Sequence, residues 1–115
     1  MQRKNEKTKS INMKVVITSK SDSPQSQMDL RFARAPWFAV YNTETEALEF
    51  KANDGAAEPS GAGPKVAETV AKLGAAKVFS GDFGPKARDA LQSLGIEMVV
   101  LKDEPVIENL IKQIK

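Results

Sequence analysis

The sequence predicts a single-domain α/β fold with three layers: a mixed five-stranded sheet, helices on both of its faces, and the element order βββαβαβα. Three observations predict it. A contiguous β-branched run, Val15-Val16-Ile17, lies near the start and suits a strand buried on both faces. Two further strand-like segments flank the short turn Thr43-Glu44-Thr45-Glu46, which joins them as an antiparallel hairpin. A helix–strand unit then occurs twice at an offset of 21 residues: Gly63-Pro64-Lys65 returns as Gly84-Pro85-Lys86, and Leu73-Gly74 as Leu94-Gly95. Consecutive helix–strand units imply parallel strands with right-handed crossovers. A hairpin followed by two crossovers gives a mixed sheet between helices. Two copies are too few for a solenoid.

The elements follow in order. The first strand is expected over Lys14–Ser19. Residues 20–28 are rich in Ser, Gln and Asp with no periodicity, so they read as a loop long enough to be mobile or functional. Residues 29–35 are a short polar–apolar stretch. Strands are expected over Trp37–Asn42 and residues 47–51. Residues 52–63 hold Asn, Asp, Pro and three Gly and read as a second long loop. Each repeat copy opens with Pro in the first helical turn, where its missing N–H costs nothing. Each stops at a Gly suited to a left-handed cap. Val66, Val70 and Leu73, then Ala87, Leu91 and Leu94, recur at helical spacing. Ala67, Ala71 and Ala90 let these helices lie close to the sheet. Strands are expected over residues 76–80 and 96–101. A last helix is expected over residues 104–114, with Pro105 in its first turn and a stripe of Val106, Ile107, Leu110, Ile111 and Ile114.

Composition narrows the function classes. The chain has 115 residues, 41% hydrophobic and 28% charged, enough for one domain with one packed core. No apolar run approaches the ~20 residues of a membrane span. The polar N-terminus lacks the apolar region of a secretory signal. There is no Cys and no His. Thiolate nucleophiles, the usual soft metal ligands and a His general base are therefore excluded within the chain. The lack of Cys fits a reducing, cytoplasmic setting. Arg3, Lys4, Lys7 and Lys9 against Glu6 give residues 1–12 a net +3, while the remainder carries 13 basic and 14 acidic residues. The basic character belongs to a short arm, flexible or an expression remnant, ahead of a nearly neutral domain over residues 13–115. That distribution argues against nucleic acid as a partner. A nuclease of this topology needs clustered carboxylates around two divalent metals. The first strand has no acid, and Asp22 and Asp82 lie on loops with no third partner. No catalytic set emerges, and the expectation is a non-enzyme.

The element order is that of ribonuclease H-like folds, and three segments resemble the dinitrogenase iron–molybdenum cofactor biosynthesis family. Met28-Asp29-Leu30-Arg31-Phe32-Ala33-Arg34-Ala35-Pro36-Trp37-Phe38 is similar to that family's Phe-Gly-Arg-Ala-Pro-Tyr-Phe motif. Gly61-Ala62-Gly63 opens a helix as the family's second motif does. Ser80-Gly81-Asp82-Phe83-Gly84-Pro85-Lys86-Ala87 resembles its Gly-Asn-Ile-Gly-Pro-Lys-Ala turn. Arg31 stands where many members have His, and Ala33 where the motif has Gly. The resemblance implies a non-enzymatic binding or carrier module, nitrogen-fixation-related. It implies a cargo of an iron–sulfur or iron–molybdenum cluster or precursor, and partners among cofactor-assembly proteins.

Physical chemistry gives that expectation a location. Helix starts favour anions through free N–H groups and the helix dipole, and ligands gather at the carboxyl ends of strands in open α/β sheets. The candidate ligand-binding residues are Arg31, Arg34, Gly61, Gly63, Ser80, Gly81, Asp82, Gly84 and Lys86, with no catalytic residue and no metal ligand among them. Arg31 and Arg34 offer forked donors to an anion. The same residues admit a structural reading: glycines for tight helix entry, arginines ion-paired at the surface, Asp82 as a cap, and Phe32, Trp37 and Phe38 as packing. A protein-interaction or regulatory domain without a small ligand is the alternative function.

Overall fold

A computed structural model describes residues 13–114. Three strands come first: β1 (Lys14–Ser19), β2 (Trp37–Asn42) and β3 (Leu48–Ala52). They are followed by helix α1 (Ala62–Lys72), strand β4 (Ala75–Ser80), helix α2 (Pro85–Ser93), strand β5 (Glu97–Val100) and helix α3 (Ile107–Ile114). The sheet order is β3-β2-β1-β4-β5. β2 runs antiparallel to both β1 and β3, and β4 runs parallel to both β1 and β5. This is the expected five-stranded mixed sheet in the ribonuclease H-like order.

Alternation along the strands decides which residue meets which layer. Val16, Phe38, Val40 and Val78 face α1 and α2, packing with Val66, Ala67, Val70, Ala87 and Leu91. Val15, Ile17, Ala39 and Tyr41 face the other way, against Ile107, Leu110 and Ile111 of α3. β1 is buried on both faces, as its β-branched run implies. Two helices thus cover one face and a single eight-residue helix the other.

Several boundaries move, each for a physical reason. β3 begins and ends one residue later than expected, because Ala47 closes the hairpin: its carbonyl accepts from Asn42 N–H at 2.9 Å. The second long loop contains a 3₁₀ turn, Asp54–Ala57, capped by the Asn53 side chain. α1 starts at Ala62, with Gly61 as its cap at φ 71° and ψ 18°. Gly63 and Pro64 therefore sit inside its first turn, whereas Gly84 is itself the cap of α2 and Pro85 its first residue. The two Gly-Pro-Lys copies are not equivalent in structure. Gly74 and Gly95 do adopt the left-handed stop, at φ 87° and 74°. Pro105 lies ahead of α3 rather than in its first turn. Its carbonyl is taken instead by Met28 N–H at 2.8 Å. The arm over residues 1–12 lies outside the described residues.

Candidate functional site

The carboxyl ends of β1 and β4 meet at one end of the sheet, and a backbone crossing builds the site there. Leu30 and Arg31 run alongside Asp82: Leu30 O accepts from Asp82 N–H, and Phe32 N–H donates to Asp82 O at 3.1 Å. Gly81 permits this approach, since a Cβ there would lie 2.8 Å from the Leu30 carbonyl oxygen. Phe32 and Phe83, with ring centroids 5.2 Å apart, anchor the two segments in the core. Below the crossing lie buried hydroxyls. Thr18 donates to the Asp29 carbonyl at 2.6 Å and lies 2.7 Å from the Ser80 hydroxyl. Ser80 is fully buried, so its side chain supports the mouth from beneath.

Arg31 dominates the surface above. Its Nε and Nη2 donate to the two oxygens of Asp29, at 2.9 and 2.7 Å, and its backbone N–H adds a third bond at 2.9 Å. The Asp29 side chain is only 4% exposed and that of Arg31 64%. Burial alone would raise the Asp29 carboxyl pKa, but its bonds to Arg31, with the charges of Arg31 and Lys20, hold it below the usual range. The bond to Asp29 in turn raises the already high pKa of Arg31. Arg31 stays charged, held in one orientation between two depressions. One, of about 240 Å³, is lined by Arg31 to Arg34 and Asp82 to Gly84. The other, of about 560 Å³, is lined by Lys20, Asp29, Leu30, Arg31, Pro36 and Glu104.

The start of α2 adjoins the smaller depression, which its cap Gly84 lines. α2 has no side-chain cap, and its first residue is proline. The N–H groups of Lys86 and Ala87 therefore lie among the orphans of its first turn. Asp82 Oδ1 accepts from Gly84 N–H at 3.2 Å, spending its carboxylate on the turn. Gly84, at φ 75° and ψ 157°, holds a conformation essentially reserved for glycine. α1 begins beside α2, because Gly63 lets Ala87 approach to where a Cβ would be 3.2 Å from its backbone nitrogen.

The nine sequence-derived residues thus divide by position. Arg31, Arg34, Asp82 and Gly84 line one depression, and exposed Lys86 follows at the start of α2. Gly81 and Ser80 pack beneath the crossing, and Gly63 packs against Ala87 in the first turn of α2. Gly61 caps α1 and lines neither depression. Arg34 lines the depression while its Nη1 donates to Ala56 O and Glu58 O, at 2.7 and 2.8 Å, tying down the 3₁₀ turn. Sequence reasoning missed Asp29, Lys20 and Glu104. Asp29 carried a signal in its spacing, two residues from an arginine in a turn-forming stretch. The Lys20–Glu104 pair, at 3.0 Å, joins residues too far apart in sequence to have carried one. Among the described residues no three His, Cys, Asp or Glu side chains gather as metal ligands, and no helix is long and apolar enough to cross a membrane.

Fold and site together define a small three-layer α/β domain with a shallow mouth of arginine and helix N–H donors. The chain belongs to the dinitrogenase iron-molybdenum cofactor family, whose model matches residues 13–115. A search of curated proteins finds no match. Among solved structures, the apo form of the orange protein from Desulfovibrio gigas is similar at 29% identity and a TM-score of 0.83, over 89% of this chain and 86% of that one. A putative NifB protein from Thermotoga is similar at 26% identity and a TM-score of 0.77, over the same shares.

Proposed function

We propose that this chain is a non-enzymatic receptor or carrier for an anionic metal cluster or its precursor, handed to or from a cofactor-assembly partner. The observation that carries this reading is the Asp29-clamped Arg31, fixed beside the uncapped start of α2. Family membership supplies the class of cargo. The donor set fits outer-sphere binding: guanidinium, ammonium and backbone N–H groups hydrogen-bond to oxo or sulfido edges. It does not fit direct ligation, since iron–sulfur clusters are held by thiolates or imidazoles and the chain has neither. The cargo therefore arrives with its own ligands complete, and the protein supplies charge and shape.

Anaerobic incubation with tetrathiomolybdate or a reconstituted cluster, then gel filtration with absorbance and metal analysis, tests this. The expected result is co-elution of metal with protein, lost on Arg31→Ala with Lys86→Ala. No retained iron or molybdenum refutes it. A second reading, a protein-interaction domain without a small ligand, is favoured by the internal engagement of both arginines. It predicts partner capture that survives the same double variant.

A further inference from the structure

We propose that residues 20–28 and α3 open and close as a single strap, which walls the outer depression beside Arg31. The argument begins with what holds each piece. α3 has eight residues, too few for a helix to persist alone in water. On the sheet it is secured by Ile107, Leu110 and Ile111. Its start is capped by backbone carbonyls of the loop rather than by a side chain of its own. Ile107 N–H donates to Ser26 O at 2.8 Å and Glu108 N–H to Pro24 O at 2.9 Å.

The loop depends on the helix in return. Met28 N–H donates to Pro105 O at 2.8 Å, and Gln27 forms an antiparallel bridge with Val106. The Gln27 side chain reaches Glu104 O at 3.1 Å, and Gln25 reaches Glu108 Oε1 at 3.1 Å. Met28 is fully buried in the same apolar cluster as the three α3 anchors. Undocking α3 strips the loop of these partners, and lifting the loop strips α3 of its cap. Neither piece has a stable half-released state, which is the condition for a cooperative opening unit. The outer depression shares that fate, because Lys20 comes from the loop and Glu104 from the approach to α3.

Native-state hydrogen exchange tests the strap without any ligand. The reporters are the bonded amides of Lys20, Met28, Ile107, Glu108 and Leu110, compared with Val16 and Val78 at the sheet centre. The strap amides are expected to share one opening equilibrium, faster than the sheet centre. Ile107→Ala should accelerate them all by a common factor of roughly a hundredfold. The full chain has no native Cys, so Gln27→Cys with Val106→Cys gives one unambiguous disulfide, across a bridge whose Cα spacing of about 4.5–5.5 Å suits it. Oxidation should slow Lys20 and Leu110 together by about tenfold or more, and reduction should reverse it. If Ile107→Ala does not fold, the oxidised and reduced forms decide alone. Acceleration or slowing confined to one segment overturns the proposal. So does exchange of the α3 amides only at the rate of the sheet centre.

Discussion

Substituting Gly81 with alanine asks whether the close crossing of Leu30 and Asp82 holds the mouth together. A Cβ at this position would lie 2.7 Å from Leu30 Cδ2 and 2.8 Å from both Leu30 Cβ and its carbonyl oxygen. The Cδ2 end can rotate away. The other two atoms cannot, because the Leu30 carbonyl is bonded to Asp82 N–H. Ordinary contact begins at 3.4 Å, so the Leu30–Arg31 backbone must retreat by more than half an ångström. Overpacking of this kind costs about 1–3 kcal/mol. For a domain of this size each kcal/mol lowers Tm by about 4–8 °C, giving a total fall of about 4–24 °C. Differential scanning calorimetry reads that fall. Tetrathiomolybdate titration of the folded variant reads the accompanying loss of affinity, because Arg31 moves with Leu30. A Tm within ~1 °C of wild type would refute the reasoning, since the crossing would then yield without cost.

Three further outcomes follow from the same geometry. Gly84→Ala meets no neighbour within 4 Å, so its cost is purely conformational, about 1–3 kcal/mol in urea denaturation; Gly61→Asn, at a left-handed position that Asn tolerates, costs under ~1 kcal/mol. Asp29 has its pKa lowered in the folded state, so the clamp contributes stability at neutral pH that is lost as pH falls through the folded value. The Tm advantage of wild type over Asp29→Asn is therefore present at pH 7 and shrinks below about pH 4 in a pH series of melts. The Tyr41 hydroxyl is buried without a hydrogen-bond partner among the described residues; Tyr41→Phe should be neutral or stabilising by up to about 1–3 kcal/mol, and a loss of more than ~1 kcal/mol would show a missed partner.

What the sequence disclosed, and what it withheld, separates by the range of the interaction responsible. β1, β2 and the glycine stops at Gly74 and Gly95 rest on contiguous or helix-spaced residues, and they stand where the pattern places them. The two Gly-Pro-Lys copies look alike in sequence yet differ in structure, because Gly63 answers to Ala87 of the neighbouring helix and Gly84 to its own backbone. No local pattern distinguishes those roles. The loop at residues 20–28 reads only as mobile or functional for the same reason: its partners Pro105, Val106 and Glu104 lie far away in the sequence. At the site, Arg31 and Gly84 were legible from motif and position. The burial of Ser80 and the grip of Arg34 on Ala56 and Glu58 arise only once the strands are assembled.

The central place of β1 has a consequence for the order of assembly. β1 is synthesised before the other described strands, yet its parallel partner is β4, so Val16 must wait for Val78. The β2–β3 hairpin closes over a few residues and can form at once. Until β4 arrives, one edge of a strand whose residues Val15 to Ser19 are all buried in the finished fold stays open. Such non-local pairing slows folding and leaves a nascent strand edge able to pair wrongly. A polypeptide built this way gains from rapid completion of synthesis or from a chaperone that shields residues 14–19 in the interval.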